Sequence, residues 1–196
     1  MNCEHPGCSE EAVCRVAFVE ARQVVEQFVM CDAHGNQRGK EYLRTLPPPS
    51  FDLPRTIRPI VGLAPCELCL IAERPIANTS YSHLQEIGSG RWLSFCSGRL
   101  EPAIIEAACW GPREGRPSTF DAVVSLLREL NAAVKYVSIH TFVDETSSPN
   151  GAYHKASIVM DHDGSEIAVD CRPTDAIALA IRAAAPILVA EELLKA

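Results

Sequence analysis

Two groups of residues in this chain of 196 residues have the types and spacings that chemistry needs. Cys3, Cys8, Cys31 and His34 read as C-x4-C, a long spacer, then C-x2-H. Thiolate sulfur and imidazole nitrogen are the preferred ligands of a structural Zn²⁺ held tetrahedrally, and four of them fill its shell with no place left for water. Pro6 and Gly7 supply the turn that the first pair needs. His5 is a rival ligand beside that turn, and Cys14 reads as a small strand residue. The second group sits at two expected helix starts, Arg116-Pro117-Ser118-Thr119-Phe120-Asp121 and Asp170-Cys171-Arg172-Pro173-Thr174-Asp175. Carboxylate oxygens suit a hard cation such as Mg²⁺ or Mn²⁺, and helix N-termini favour anions. Asp121, Asp170 and Asp175 are therefore candidate catalytic metal ligands, with Arg172 as a clamp for a phosphate. Proline and aspartate in a first turn also serve ordinary helix starts, so capping and ion pairing compete with catalysis at these positions.

The elements that must position these groups are legible. Residues 13–19 and 24–30 read as two strands joined by a polar stretch, a hairpin that brings both ligand pairs to one end. A segment of this size buries too little apolar surface to fold alone, so a metal would supply the missing free energy. A short helix is expected over 35–46, and Pro47-Pro48-Pro49-Ser50 then breaks it. The expected division is a zinc-binding module at 1–46, a Pro-rich linker at 47–56 and a larger domain at 57–196.

In that domain, strands are expected at 66–72, 81–87 and 91–96, then a helix at 100–110. Val123, Leu126, Leu127 and Leu130 mark an amphipathic helix over 118–131, with Ser118 and Asp121 as a capping pair. Strands follow at 134–143, 153–160 and 166–170. The helix over 174–184 is apolar on every side and must be covered all round; a short strand at 187–189 ends the pattern. Arg99-x-x-x-Ala103-Ile104 echoes Arg172-x-x-x-Ala176-Ile177 at two helix openings, which suggests a duplicated β-β-β-α unit. Cys66 and Cys69 fall within one strand and point to opposite faces, as packed thiols.

Apolar content of 47% and charged content of 22% are those of a globular protein. A net charge of −7 argues against broad affinity for nucleic acid, which needs many Lys/Arg–phosphate contacts. Arg55, Arg58, Arg113 and Arg116 are the candidates for a local basic patch, or else solvated surface residues. No apolar run approaches the ~20 residues of a membrane span. Nine cysteines without an export signal fit a reducing, cytoplasmic setting.

Residues from about 57 to 196 resemble the bifunctional nuclease domain. The matching motifs are Arg116-Pro117-x-Thr119-x-Asp121, Val169-Asp170-x-Arg172-Pro173-x-Asp175-Ala176-Ile177-Ala178-Leu179-Ala180 and Pro186-Ile187-x-Val189-Ala190-Glu191-Glu192. The resemblance implies an α+β fold of duplicated β(3)-α units in β/α/β layers, here preceded by the small zinc-bound hairpin. It also implies DNase and RNase activity, with Asp121, Asp170, Arg172 and Asp175 at matching positions. The chain departs from the family's T-H-D pattern at Phe120, which removes a histidine that could act as base or ligand. His140, His154 and His162 are the residues that could compensate. Two functions follow: a metal-dependent hydrolase of DNA or RNA, or a non-catalytic zinc-tipped scaffold with a protein or nucleic-acid partner. A homodimer is expected from the apolar, β-rich domain.

Overall fold

The computed structural model describes residues 2–45, 60–74, 79–98, 101–110, 116–144, 146 and 152–195. The Pro-rich linker and Arg55, Arg58, Arg99 and Arg113 lie outside the described residues. The elements run β1 (Cys14–Glu20), β2 (Gln23–Met30), α1 (Asp32–Thr45), β3 (Leu63–Arg74), β4 (Thr79–Glu86), β5 (Trp92–Ser97) and α2 (Glu101–Cys109). They continue with α3 (Thr119–Glu129), β6 (Ala132–Val143), β7 (Tyr153–His162), β8 (Ser165–Cys171), α4 (Pro173–Ala183) and β9 (Ile187–Ala190), then a 3₁₀ turn at Glu191–Leu193. The expected β-β-β-α order therefore occurs twice, as β3-β4-β5-α2 and as β6-β7-β8-α4, with α3 leading into the second unit.

The local signals explain the element ends. Ser118 and Asp121 form a reciprocal capping box at the start of α3. Pro173 opens α4, where its missing N–H costs nothing, and Ala184 ends it in the left-handed region at φ 52°.

The strands form one hydrogen-bonded sheet. Its path runs β2-β1-β3-β9-β6-β7-β8, with β4 and β5 branching from β3. Strand β9, buried along its whole length, joins the two units: it pairs antiparallel with β3 and parallel with β6. From β5 to β7 there are five strand-to-strand steps, which in a flat sheet would span about 24 Å. Yet the rings of Phe95 on β5 and His154 on β7 lie 6.2 Å apart. The sheet is therefore strongly curled, and β5 and β7 meet at a seam without pairing. The β layers on either side of the helices are two halves of one curled sheet.

Strands β6 and β7 of this sheet together with α2 and α3 cover α4, as its lack of a polar face requires. Thr174 and every residue from Ala176 to Ala180 are buried. One apolar cluster joins α2 (Ile105, Cys109), α4 (Ala176, Ile177, Ala180) and the strands (Leu84, Phe95, Val137, Ile139, Ile187, Val189).

The N-terminal hairpin extends this sheet, with β1 paired to β3 from Val16↔Ala72 to Phe18↔Leu70. Two ion pairs fasten it. Arg15 makes a two-pronged contact with Glu106 of α2. Arg22, in the hairpin turn, binds the buried Glu67 and also donates to the Ala180 carbonyl of α4 at 3.2 Å. Cys66 and Cys69 pack in separate apolar clusters, as their spacing implied, and burial raises both thiols.

Candidate active site and metal centre

The four predicted metal ligands meet. The hairpin holds Cys31 at its exit, and the segment carrying Cys3 and Cys8 is tied down by Cys3 N–H to Glu10 O and Glu4 N–H to Val29 O, each 3.0 Å. His34 follows on the first turn of α1. The ligand atoms of Cys3, Cys8, Cys31 and His34 all lie within 4.8 Å of one another, an arrangement that can hold a metal ion. A tetrahedral ion with bonds of ~2.3 Å keeps its sulfurs about 3.8 Å apart, and the Cys8 and Cys31 sulfurs are 4.0 Å apart. Burial opposes ionisation of Cys3, but backbone groups of Cys31 and His5 and the His34 and Cys8 side chains bring it down to about 6, so it is ready to bind as a thiolate.

His5 stands outside this set. Its ring stacks on His34 at 3.8 Å and its Nδ1 faces the Pro6 carbonyl. Cys14 is a supporting residue: its Sγ–H points at the carbonyls of Met30 and Cys31, 3.3 and 3.5 Å away. Gly35 follows from that placement, because a Cβ there would come within 2.1 Å of the Cys14 sulfur.

The four predicted catalytic residues do not meet as a set. Asp121 accepts from Ser118 in the capping box and from Arg182 near the end of α4, with Arg182 Nε at 2.7 Å. Burial alone would raise its pKa, but those hydrogen bonds outweigh it and hold the carboxyl below its ordinary value. Arg172 and Asp175 lie at the opposite end of α4, where Arg172 donates to Asp175 at 2.7 and 3.1 Å. Ten residues of helix separate Arg172 from Arg182, about 15 Å. Asp170 is exposed on β8, opposite Ser157 of β7. A metal shell shared by Asp121, Asp170 and Asp175 is therefore corrected by the geometry: Asp121 lies at one end of α4 and Asp175 at the other. Among the described residues, the N-terminal cysteines and histidine are the group of three or more ligands close enough for one ion.

The structure instead joins the starts of α2 and α4. Arg172 Nη1 donates to Glu101, the first residue of α2, at 3.0 Å. These helix starts flank a cavity of about 300 Å³ at the β5–β7 seam, lined among others by Phe95, Glu101, Tyr153, His154, Arg172 and Thr174. Burial, aided by the Lys195 charge, lowers the His154 pKa and keeps its imidazole neutral at pH 7. His140 is committed to Thr141 and Ser157, and His162 lies on the surface near Asp163. The sequence left three histidines open; position selects His154. Glu101, Tyr153 and Thr174 were missed. The signal that could have pointed to Glu101 was the echo between the two helix openings, since Glu101 lies inside the Arg99-x-x-x-Ala103-Ile104 segment that matches the Arg172 segment.

The family described as the bifunctional nuclease domain matches residues 84–196. Two uncharacterized proteins of Mycobacterium tuberculosis, one from each of two strains, are each 31% identical to this chain over 111 residues. That alignment covers 57% of this chain and 62% of each relative, so the chain spans less than two thirds of their length. The N-terminal metal centre lies outside the matched family segment.

Proposed function

This chain belongs to the bifunctional nuclease domain family, and from that premise we propose that it hydrolyses phosphodiester bonds of RNA or DNA in the cavity at the β5–β7 seam. The observation that carries the reading is that the cavity is lined by the Glu101 carboxylate, the His154 imidazole and the Arg172 guanidinium, the last of which also holds Asp175 beside it. Arg172 spends three of its five N–H groups on Asp175 and Glu101, and the remaining two can face a phosphate oxygen. His154 takes the proton of the attacking water. Arg172 and the two carboxylates it binds, Glu101 and Asp175, together carry a net charge of about −1 that would repel a phosphodiester. A Mg²⁺ or Mn²⁺ ion held by Glu101 and Asp175 would neutralise that charge and the phosphate, as such ions do with one or two carboxylates plus phosphate oxygens. Asp121 serves the fold in this reading, and Asp170 stays outside the cavity.

The N-terminal centre is read as structural Zn²⁺, since three thiolates with one imidazole form a closed set. Nine thiols, none in a disulfide, suit a cytoplasmic location. No helix among the described residues is long and apolar enough to cross a membrane. Self-association, expected from composition, has an apolar stripe available in Val123 and Leu126 on α3 and Leu130 at its C-terminal cap, all exposed.

The test is cleavage of RNA and DNA by zinc-loaded protein, with and without Mg²⁺ or Mn²⁺, beside His154→Gln and Arg172→Lys variants that keep the wild-type Tm. Cleavage that needs the added ion and falls at least tenfold in both variants supports the reading. Equal cleavage in all samples would mark contamination and leave the scaffold. That second reading is favoured by one observation, that Asp121 and Asp175 are already satisfied by arginines.

A further inference from the structure

The N-terminal hairpin breaks a local rule at its turn. Ala21 and Arg22 join β1 to β2 as a two-residue loop, and both are in the left-handed region, at φ 46° and 64°. Such turns favour Asn-Gly, because left-handed backbone is costly for most L residues. Strain of this kind persists only where the surroundings over-determine it, and it clusters where a position has a task. A glycine would relieve the strain at position 22, but it would lose the side chain that binds Glu67 and donates to the Ala180 carbonyl. That carbonyl stands near the end of α4, where a cation also suits the helix dipole. A second, independent contact comes from β1. Arg15 grips Glu106, in the later half of α2, with two nitrogens. The two helices held by the hairpin at their later halves are the same two that Glu101 and Arg172 join at their starts. The contacts close a ring, from the hairpin to α2, from α2 to α4 beside the cavity, and from α4 back to the hairpin.

The metal centre sits at the other end of this hairpin. Strands β1 and β2 pair from Cys14↔Met30, next to the ligand Cys31, to Glu20↔Gln23 at the turn, about 20 Å of strand. A two-stranded hairpin is marginal by itself. A metal ion that draws ligands from before β1 and after β2 lends its binding free energy to the hairpin between them. We propose that the hairpin is a zinc-dependent clamp on the seam cavity, in which Arg15 and Arg22 are positioning residues that fix α2 against α4 and so set the Glu101–Arg172 pair that lines the cavity. Zinc occupancy and the geometry of that pair are then linked, and the linkage is reciprocal: loosening the ring weakens zinc binding, and losing zinc loosens the ring. The consequence for cleavage rests on the nuclease reading; the clamp does not.

The experiment measures the zinc affinity of the full chain by chelator competition. Arg15→Met and Arg22→Met, neither of them a metal ligand, should each raise the zinc dissociation constant about tenfold, and Glu101→Ala, which changes only the pair at the cavity, about threefold. Val159→Ala, a truncation of a buried β7 side chain outside the ring, lowers the Tm but should leave zinc affinity within about twofold of wild type. With zinc bound, ¹H–¹⁵N spectra should show the Glu101 amide signal displaced in Arg15→Met and the Arg172 signal displaced in Arg22→Met, while signals of the Asp161–Ser165 turn stay in place. A merely structural role would lower stability without moving those signals. Wild-type zinc affinity in both arginine variants or in Glu101→Ala, Glu101 and Arg172 signals that do not move, or an equal loss of affinity in Val159→Ala would each overturn the clamp. Cleavage of nucleic acid at the wild-type rate by folded, zinc-free protein would overturn it while leaving the nuclease reading standing. The expected affinity losses in a protein that cleaves nothing would support the clamp and overturn the nuclease reading.

Discussion

Replacing Asp121 by asparagine separates a residue that holds the fold from one that does chemistry. In the wild type the carboxylate accepts from Arg182 and closes the α3 capping box. Both side chains of the ion pair are mostly buried, at 10% and 18% exposure. Removing one charge of a fully buried pair costs about 3–5 kcal/mol because the other is left uncompensated; partial solvent access reduces this to about 2–3 kcal/mol. Asparagine keeps an acceptor oxygen for Ser118, so the cap contributes about 0.5 kcal/mol at most. The expected fall in Tm for a chain of this size is about 4–12 °C. The sign against pH is fixed. A carboxyl whose folded pKa is depressed stabilises above its unfolded value of ~3.9, and that stability is lost as pH falls through the folded pKa. The gap between wild type and variant should therefore be full at pH 7 and shrink below about pH 4. Urea unfolding across pH 3–7 measures this, and adding Arg182→Met should recover at least about 1 kcal/mol by removing the stranded guanidinium. Per folded molecule, nuclease activity should be unchanged. An Asp121→Asn protein with wild-type stability and no activity would refute the assignment and return Asp121 to the chemistry.

Other predictions bear on the two sites. Cys31→Ser should lower bound zinc from one ion per chain towards none by elemental analysis, and should lower the Tm of the whole chain because β1 is paired to β3. Gly35→Ala should weaken metal retention through the clash with Cys14, and Gly35→Ala/Cys14→Ala should restore it, since the next neighbours lie 3.7 Å away; chelator competition reads both. Arg22→Met should destabilise by about 3 kcal/mol in chemical denaturation by leaving Glu67 buried and unpaired. Because His154 titrates below the ordinary imidazole value, cleavage should hold from pH 8 down past about pH 6.5 and fall only at lower pH; a fall already complete at neutral pH would exclude it as the base.

The sequence by itself determined what depends on near neighbours along the chain. The C-x4-C and C-x2-H turns, the hairpin between them, the Ser118–Asp121 box and the Pro173 start need only partners a few residues away, and they stand as read. The apolar run of α4 announced complete burial for the same reason, that side-chain type fixes the cost of exposure. Which helix starts face one another was decided only by the tertiary structure. The sheet's curl brings Phe95 to His154 and Glu101 to Arg172, and it leaves Asp121 at the far end of α4. It also inserts β9 between β3 and β6 and adds the N-terminal hairpin to the sheet edge. These juxtapositions join residues some 50 or more positions apart, through backbone pairing and core packing summed over many strands. Identical carboxylates at two helix starts carry no mark in the sequence of which arginine the fold will tie each to: Asp121 meets Arg182, 61 positions away, and Asp175 meets Arg172 beside it.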